Sequence, residues 1–404
     1  MRLSSKTIET EMIRRAAHHK AQSHLVVDYY RIRRKLAFPL PVEKLHLPEF
    51  PVAIYPVYPW TVWLLWDLEE RVHSLGWAGT WADDAEARSL ARRDLLALSR
   101  WPQFRQLDKP DLTLGHSARL MFRAWRDWSW VDEIKGDLEA GLGRLIDDNL
   151  PMVESCYGCH QTKEAILAAE EPASLLHNIA LIGTASMAVA AHAIGHSAVS
   201  VLDRQVAAVF GAILDAREEG FSEGVGYDGY VMDFIVHWLD VIDPPARQQF
   251  LAHPRFEDLL DESIFLSAPG EAAAVAELGD VEPERMPFHL SAHAKLLQLR
   301  PNGTASWHVR RCRPADLKAD ALAALHGLSC RGRAPTAGAM DAHYAAVLRS
   351  GWETHDMAVA VSVSSSPMGH LHCDTGTLQI SSRGRWIISD PGYQQYLKRT
   401  ERDF

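Results

Sequence analysis

The chain has 404 residues, of which 47% are hydrophobic and 23% charged. That is ordinary soluble composition, with length for about two or three domains, and it excludes a disordered, collagen-like or membrane-embedded chain. With 42 basic against 52 acidic side chains and a net charge of −10, it has no general attraction for nucleic acid or anionic lipid, and neither is expected as a partner.

No apolar run of signal-peptide length follows Met1-Arg2-Leu3-Ser4-Ser5-Lys6. The chain as written is therefore expected in the cytoplasm, or in the periplasm or cell envelope if its true start lies upstream. Residues 4–35 carry apolar side chains at helical spacing, and a Pro-rich connector follows from Pro39 to Pro59. Helical spacing then recurs near 60–76, 83–99, 113–129, 132–147, 173–195, 201–217, 230–242 and 246–264, between short connectors bearing Gly or Pro. Paired helices in this number predict an (α/α) toroid, assigned to residues 1–335. The stretch Leu181 to Val201 is the most apolar, but Gly, Ser and His interrupt it. It reads as a buried helix rather than a membrane span. The 13 Trp read mainly as core packing, although grooves that stack sugar rings also use Trp.

Residues 265–340 are mixed. They hold a loop with Gly270 and Gly279, a helix at 286–299, a turn at Pro301-Asn302-Gly303 and a helix near 315–326. After about residue 340 the pattern changes to period two. Tyr344–Trp352, Asp356–Ser364, Thr377–Ser382 and Arg385–Ser389 read as strands, the last two joined by a turn at Arg383-Gly384. The expected fold class is mainly α: an incomplete (α/α) toroid followed, over residues 336–404, by the beginning of an antiparallel β-sandwich.

Three constellations carry chemistry. Cys156-Tyr157-Gly158-Cys159-His160 matches the C-x-x-C-H of c-type haem attachment, which needs an exported chain. Two unmodified cysteines are preferred over haem, a redox pair or a partial zinc site. In Gly369-His370-Leu371-His372-Cys373-Asp374, a strand would turn His370, His372 and Asp374 to one face. Imidazoles at that spacing can share a zinc ion with a carboxylate such as Asp390, or one can serve as acid or base. Ser222-Glu223-Gly224-Val225-Gly226-Tyr227-Asp228-Gly229-Tyr230 is a Gly-rich loop between helices with two phenols. It is either a structural cap or a proton-transfer site. His177-Asn178, after Glu170-Glu171-Pro172 at the head of a helix, offers a further donor pair.

The run Pro367-Met368-Gly369-His370-Leu371-His372-Cys373-Asp374-Thr375-Gly376, continuing to Gly384-Arg385-Trp386-Ile387-Ile388-Ser389-Asp390-Pro391-Gly392, resembles the start of the C-terminal β-sandwich of the heparinase II/III-like polysaccharide lyases. The Glu-Gly-x-Gly-Tyr loop at 223–227 looks like that family's toroid loop with a catalytic Tyr. The helix beginning near His177-Asn178 looks like the one that meets the substrate carboxylate.

The resemblance implies β-elimination on an acidic, uronate-containing polysaccharide. Asn178 or His177 would neutralise the C6 carboxylate, and Tyr227 and His370 would form the base and acid pair. Glu223, Tyr230 and His116 are further candidate substrate contacts. His372 and Asp390 would be the first two ligands of a structural zinc. The family's third ligand, a His beyond the Asp-Pro-Gly turn, has no counterpart before Phe404. The chain is therefore expected to be a truncated or split member, completing its sandwich as a homo-oligomer or with a complementing chain. Two other classes are kept. One is a catalytically impaired carbohydrate-binding or assembly protein on the same scaffold. The other is a glycoside hydrolase using Glu223 and Asp228 as its carboxylate pair.

Overall fold

The computed structural model describes residues 3–27, 35–45, 59–280, 288–328, 332–341, 344–363, 370 and 375–390. The chain divides into two compact units. Among the described residues, one comprises Glu9–Gln161 and Ile179–Val206; the other comprises residues 3–8, Thr162–Asn178 and the described residues of 207–390.

The first unit is built on the helices Pro59–Trp81, Ala85–Ser99, Leu112–Asp127 and Lys135–Tyr157. The starts of Ala85–Ser99 and Leu112–Asp127 follow from short acidic caps. Asp84 accepts from the Ala87 N–H and Asp111 from the Leu114 N–H, each at 3.0 Å, satisfying donors that a helix N-terminus leaves free. Trp goes to packing here. Trp101 and Trp128 are fully buried, and Trp128 lies directly over Gly76, where an added Cβ would meet the indole at 2.4 Å. The helix expected over 4–35 ends at Lys20, and His24–Val27 pairs antiparallel with Leu36–Pro39. Leu25, Val27, Leu36 and Phe38 are buried while their neighbours are exposed, a period of two that decides for strand over helix. Cys156 lies in the last turn of the helix Lys135–Tyr157, and Cys156 and Cys159 are both free thiols.

In the second unit, the helix Val225–Val241 packs closely on Phe288–Leu299. Gly229 is the contact, lying against the backbone of His289. The helix expected over 246–264 is two, Pro244–Leu251 and Asp258–Phe265. Pro254 lies in the break and disfavours helical conformation for the residue before it. Pro301-Asn302-Gly303 is not a free turn. The Asn302 side chain accepts from the Ala305 N–H at 2.9 Å and caps an additional helix, Gly303–Arg310. Gly270 turns a small hairpin, Ser267–Ala268 with Glu271–Val275.

The C-terminal strands form one five-stranded antiparallel meander: Ala339–Asp341, Ala345–Arg349, Met357–Ser362, Leu378–Ser382 and Arg385–Ile388. Its inner face places Ala345, Val347 and Ala360 in one core cluster with Val225, Leu266, Val275, Leu278 and Tyr344. Val225 is the first residue of the helix that carries Tyr227, so this cluster fixes that helix start against the sheet. Buried Gln379 locks the segment around Glu277 to the sheet, donating to the Glu277 carbonyl (2.6 Å) and accepting from the Glu277 N–H (3.0 Å). The segment Pro172–Ile194 is apolar and long enough to cross a membrane, but 78% of its apolar window is buried, as in a core helix.

Candidate active site

The loop at Ser222–Gly224 is shaped from below by a buried ionic network. Arg217 donates to Asp228 at 2.8 Å and is paired with Glu262. Asp228 also accepts from the Ser222 hydroxyl (2.6 Å) and the Glu223 N–H (3.4 Å). Gly224, at φ 88° and ψ 163°, occupies a conformation nearly restricted to glycine and turns the chain into the helix Val225–Val241. The result aims Glu223 at Asn178 and sets Tyr227 in the first helical turn.

Glu223 and Asn178 are both buried and meet twice. The Asn178 N–H donates to Oε2 and its Nδ2 to Oε1, each at 3.0 Å. Nδ2 also lies 3.3 Å from His370 Nε2. Burial pushes the Glu223 carboxyl up to about 8, with the Asn178 hydrogen bond opposing. At neutral pH this acid is therefore largely uncharged. His177 stands at the rim, its side chain 28% exposed, with Nε2 3.7 Å from Glu223 Oε1.

His370 is held on two sides. Its ring stacks on Tyr227 with centroids 3.6 Å apart and planes 8° apart. Its Nδ1 lies 2.9 Å from Asp280 Oδ2, and the Asp280 N–H donates to the His370 carbonyl at 2.8 Å. Thus His177, Asn178, Glu223, Tyr227 and His370, singled out in three separate stretches of sequence, come together. Asp280 joins them without any sequence signal, ninety residues from its partner.

Other expected residues lie elsewhere. His116 belongs to the other unit and is fully enclosed, with Nδ1 2.7 Å from Glu69 and Nε2 accepting from Trp66 at 3.0 Å. Arg119 grips the same Glu69 through two bonds of 2.9 and 2.7 Å. Burial alone would raise Glu69, but Arg119 and His116 hold it down to about 2. With both ring nitrogens engaged and no exposed surface, His116 serves packing. Tyr230 is likewise buried, stacked on Phe288 at 4.0 Å. Asp228 is saturated by Arg217, Ser222 and the loop N–H, which withdraws it from a hydrolase pair with Glu223.

His372 and Asp374 lie outside the described residues. Asp390 follows the last strand, half-buried and near Glu277, whose carboxyl is raised by burial and by Asp390. The described residues thus include one of the two zinc ligands that the resemblance implies. Donor atoms of His177, Glu223 and His370 also converge within 4.8 Å. The Asn178 amide hydrogens point among them, a polarity that suits an anionic group rather than a cation.

Residues 331–404 match the family profile described as Heparinase II/III-like, C-terminal. No curated protein sequence matches the chain. Among solved structures, heparinase III is similar at TM-score 0.57 and 11% identity over 97% of this chain and 59% of that one. A heparan sulfate lyase HepC mutant from Pedobacter heparinus gives TM-score 0.47 and 14% identity over 98% of this chain and 57% of that one. The chain spans about three-fifths of the length of these structures. The mainly α class with a terminal antiparallel sheet, expected from the sequence, is the fold found.

Proposed function

For a chain that is heparinase II/III-like in its C-terminal region and in its fold, we propose a polysaccharide lyase that cleaves a uronate-containing polymer by β-elimination. The observation that carries this reading is the meeting of Asn178, Glu223, Tyr227 and His370 in one polar cluster.

The chemistry makes three demands on it. The C6 carboxylate must be met by donors, which acidifies the C5 proton. Asn178 Nδ2 and a protonated Glu223 supply hydrogen bonds without a repelling charge, aimed where charge develops. His177 at the rim adds a further donor. A base must then break the C5–H bond, and its electron pair forms the C4–C5 double bond. The C4–O4 bond breaks, and the departing oxygen takes a proton from an acid. Tyr227 and His370, stacked face to face, are the base and acid, in an order set by the configuration at C5.

Within the same proposal, His372 and Asp390 hold a structural zinc. Metal analysis of wild type against His372→Ala tests that part. The lyase reading is tested by incubating the chain with glucuronate- and iduronate-containing polymers and following the ultraviolet absorbance of the unsaturated product. Signal in wild type that is lost in Tyr227→Phe and His370→Ala, with unchanged melting, supports it. Binding of the polymers with no unsaturated product favours a carbohydrate-binding protein instead.

A further inference from the structure

We propose that Asp280 is the positioning residue of His370: it fixes the imidazole tautomer, with the proton on Nδ1 and the lone pair on Nε2 turned into the site. The kinetic arm of the test rests on the lyase reading, and the spectroscopic arm does not.

Two degrees of freedom define an imidazole in a site, the plane of the ring and its rotation within that plane. The plane is set by Tyr227, whose ring lies parallel at 3.6 Å. The rotation is set by Asp280, whose carboxylate lies 2.9 Å from Nδ1. A carboxylate only accepts, so Nδ1 carries the hydrogen. The opposite nitrogen agrees with this. Nε2 lies 3.3 Å from Asn178 Nδ2, which donates to Glu223 Oε1 at 3.0 Å, and an NH2 facing Nε2 leaves that nitrogen as the acceptor. Both contacts fit one tautomer, and the far end of the chain of contacts is Asp280.

Asp280 is itself well placed to impose this. It is buried, at 6% exposure, and its own N–H donates to the His370 carbonyl at 2.8 Å. Backbone and side chain of one residue thus hold backbone and side chain of the other. Nearby, the Gln379–Glu277 pair anchors the Asp280 segment to the sheet. An outer carboxylate that orients a working imidazole is a recurrent device in catalytic and metal sites, and its loss leaves the ring present but wrongly protonated.

Asp280→Asn keeps shape and volume but presents an NH2 to Nδ1. The favoured tautomer then moves the proton to Nε2, where it faces the Asn178 amide hydrogens. In protein labelled with 15N at histidine, the His370 Nε2 resonance of wild type is expected in the unprotonated range and that of Asp280→Asn in the protonated range. The turnover number should fall at least about 100-fold with KM changed less than about 3-fold, and Asp280→Glu should recover part of the loss. His370 nitrogen resonances that are the same in wild type and Asp280→Asn overturn the proposal whether or not the chain turns over any polymer. So does a variant that raises KM and leaves turnover unchanged. If the NMR change appears but wild type yields no unsaturated product, the lyase reading fails and the positioning role stands.

Discussion

Asn178 and Glu223 are joined by two hydrogen bonds of 3.0 Å, one from the backbone and one from the side chain of Asn178, both within buried surroundings. Asn178 is the first residue of the helix Asn178–Ile194. Glu223 therefore satisfies a helix-start N–H from a loop distant in sequence, and the same contact gives the carboxyl its orientation in the site.

A pH dependence follows from it. The Glu223 carboxyl sits near 8 in the folded chain against 4.5 for the free group, chiefly through burial. Between those values the folded state holds a proton that the unfolded state has released. The contribution to stability is present in full below 4.5 and is lost as pH rises through 8. Glu223→Gln keeps the bond from Asn178 Nδ2 but removes the titration. Its melting temperature should fall less than that of wild type from about pH 5 to about pH 9. The gap should reach a few kcal/mol, because each tenfold difference in proton affinity between folded and unfolded chain is worth about 1.4 kcal/mol. Parallel melting profiles for the two proteins would refute the assignment.

Much of this site is legible in the sequence, because its signals are local. Gly369-His370-Leu371-His372 and Glu223-Gly224-Val225-Gly226-Tyr227 are contiguous in sequence, and Gly224 takes a backbone conformation that other residues avoid. Asp280 is not legible, since nothing in the spacing of residues 280 and 370 announces a contact. The hairpin strand Glu271–Val275 escapes for another reason: its Ala-rich sequence has no strand propensity, and tertiary packing against the sheet decides it. Asn302-Gly303 reads as a turn in sequence because a turn and an N-cap use the same residues.

The network beneath the loop predicts a large loss of stability. Arg217 is fully buried between Asp228 and Glu262, and Arg217→Met leaves both carboxylates buried without their cation. Breaking such a pair costs about 3–5 kcal/mol. Urea unfolding should show that loss for Arg217→Met, with a good part recovered by adding Glu262→Gln and Asp228→Asn. A single variant within about 0.5 kcal/mol of wild type would contradict the buried network.

The two packed helices under Tyr227 predict intolerance at Gly229. A Cβ there would lie 2.7 Å from the His289 nitrogen and 2.9 Å from its Cα. Those are backbone atoms, which can yield only if the helices part. Gly229→Ala should destabilise by about 1–3 kcal/mol and reduce turnover by displacing Tyr227. Gly136→Ala is the matched control, because no atom lies within 4 Å of its Cβ. There the gain in helix propensity should leave the protein as stable or more so, by up to about 1 kcal/mol. Equal effects at the two positions would refute the packing argument.

The outer face of the five-stranded sheet predicts self-association. Leu348, Val359 and Ile380 are paired in register across three successive strands and so share one face, and a register shift carries the pairing on from Ile380 to Ile388. Leu348 is 60% exposed and Ile388 50%. Leu378, on the same strand as Ile380 and two residues away, shares their face and is exposed as well. A contiguous apolar face of this kind draws a partner surface or another copy of the chain. Leu348→Thr with Ile388→Thr puts a β-branched residue at both strand positions while removing apolar area, so folding stability should change little. Light scattering should show concentration-dependent association in wild type that is reduced in the double variant, and binding of a hydrophobic dye should fall with it. A wild type that stays monomeric and binds no dye, with the variant indistinguishable from it, would show that this face does not drive association.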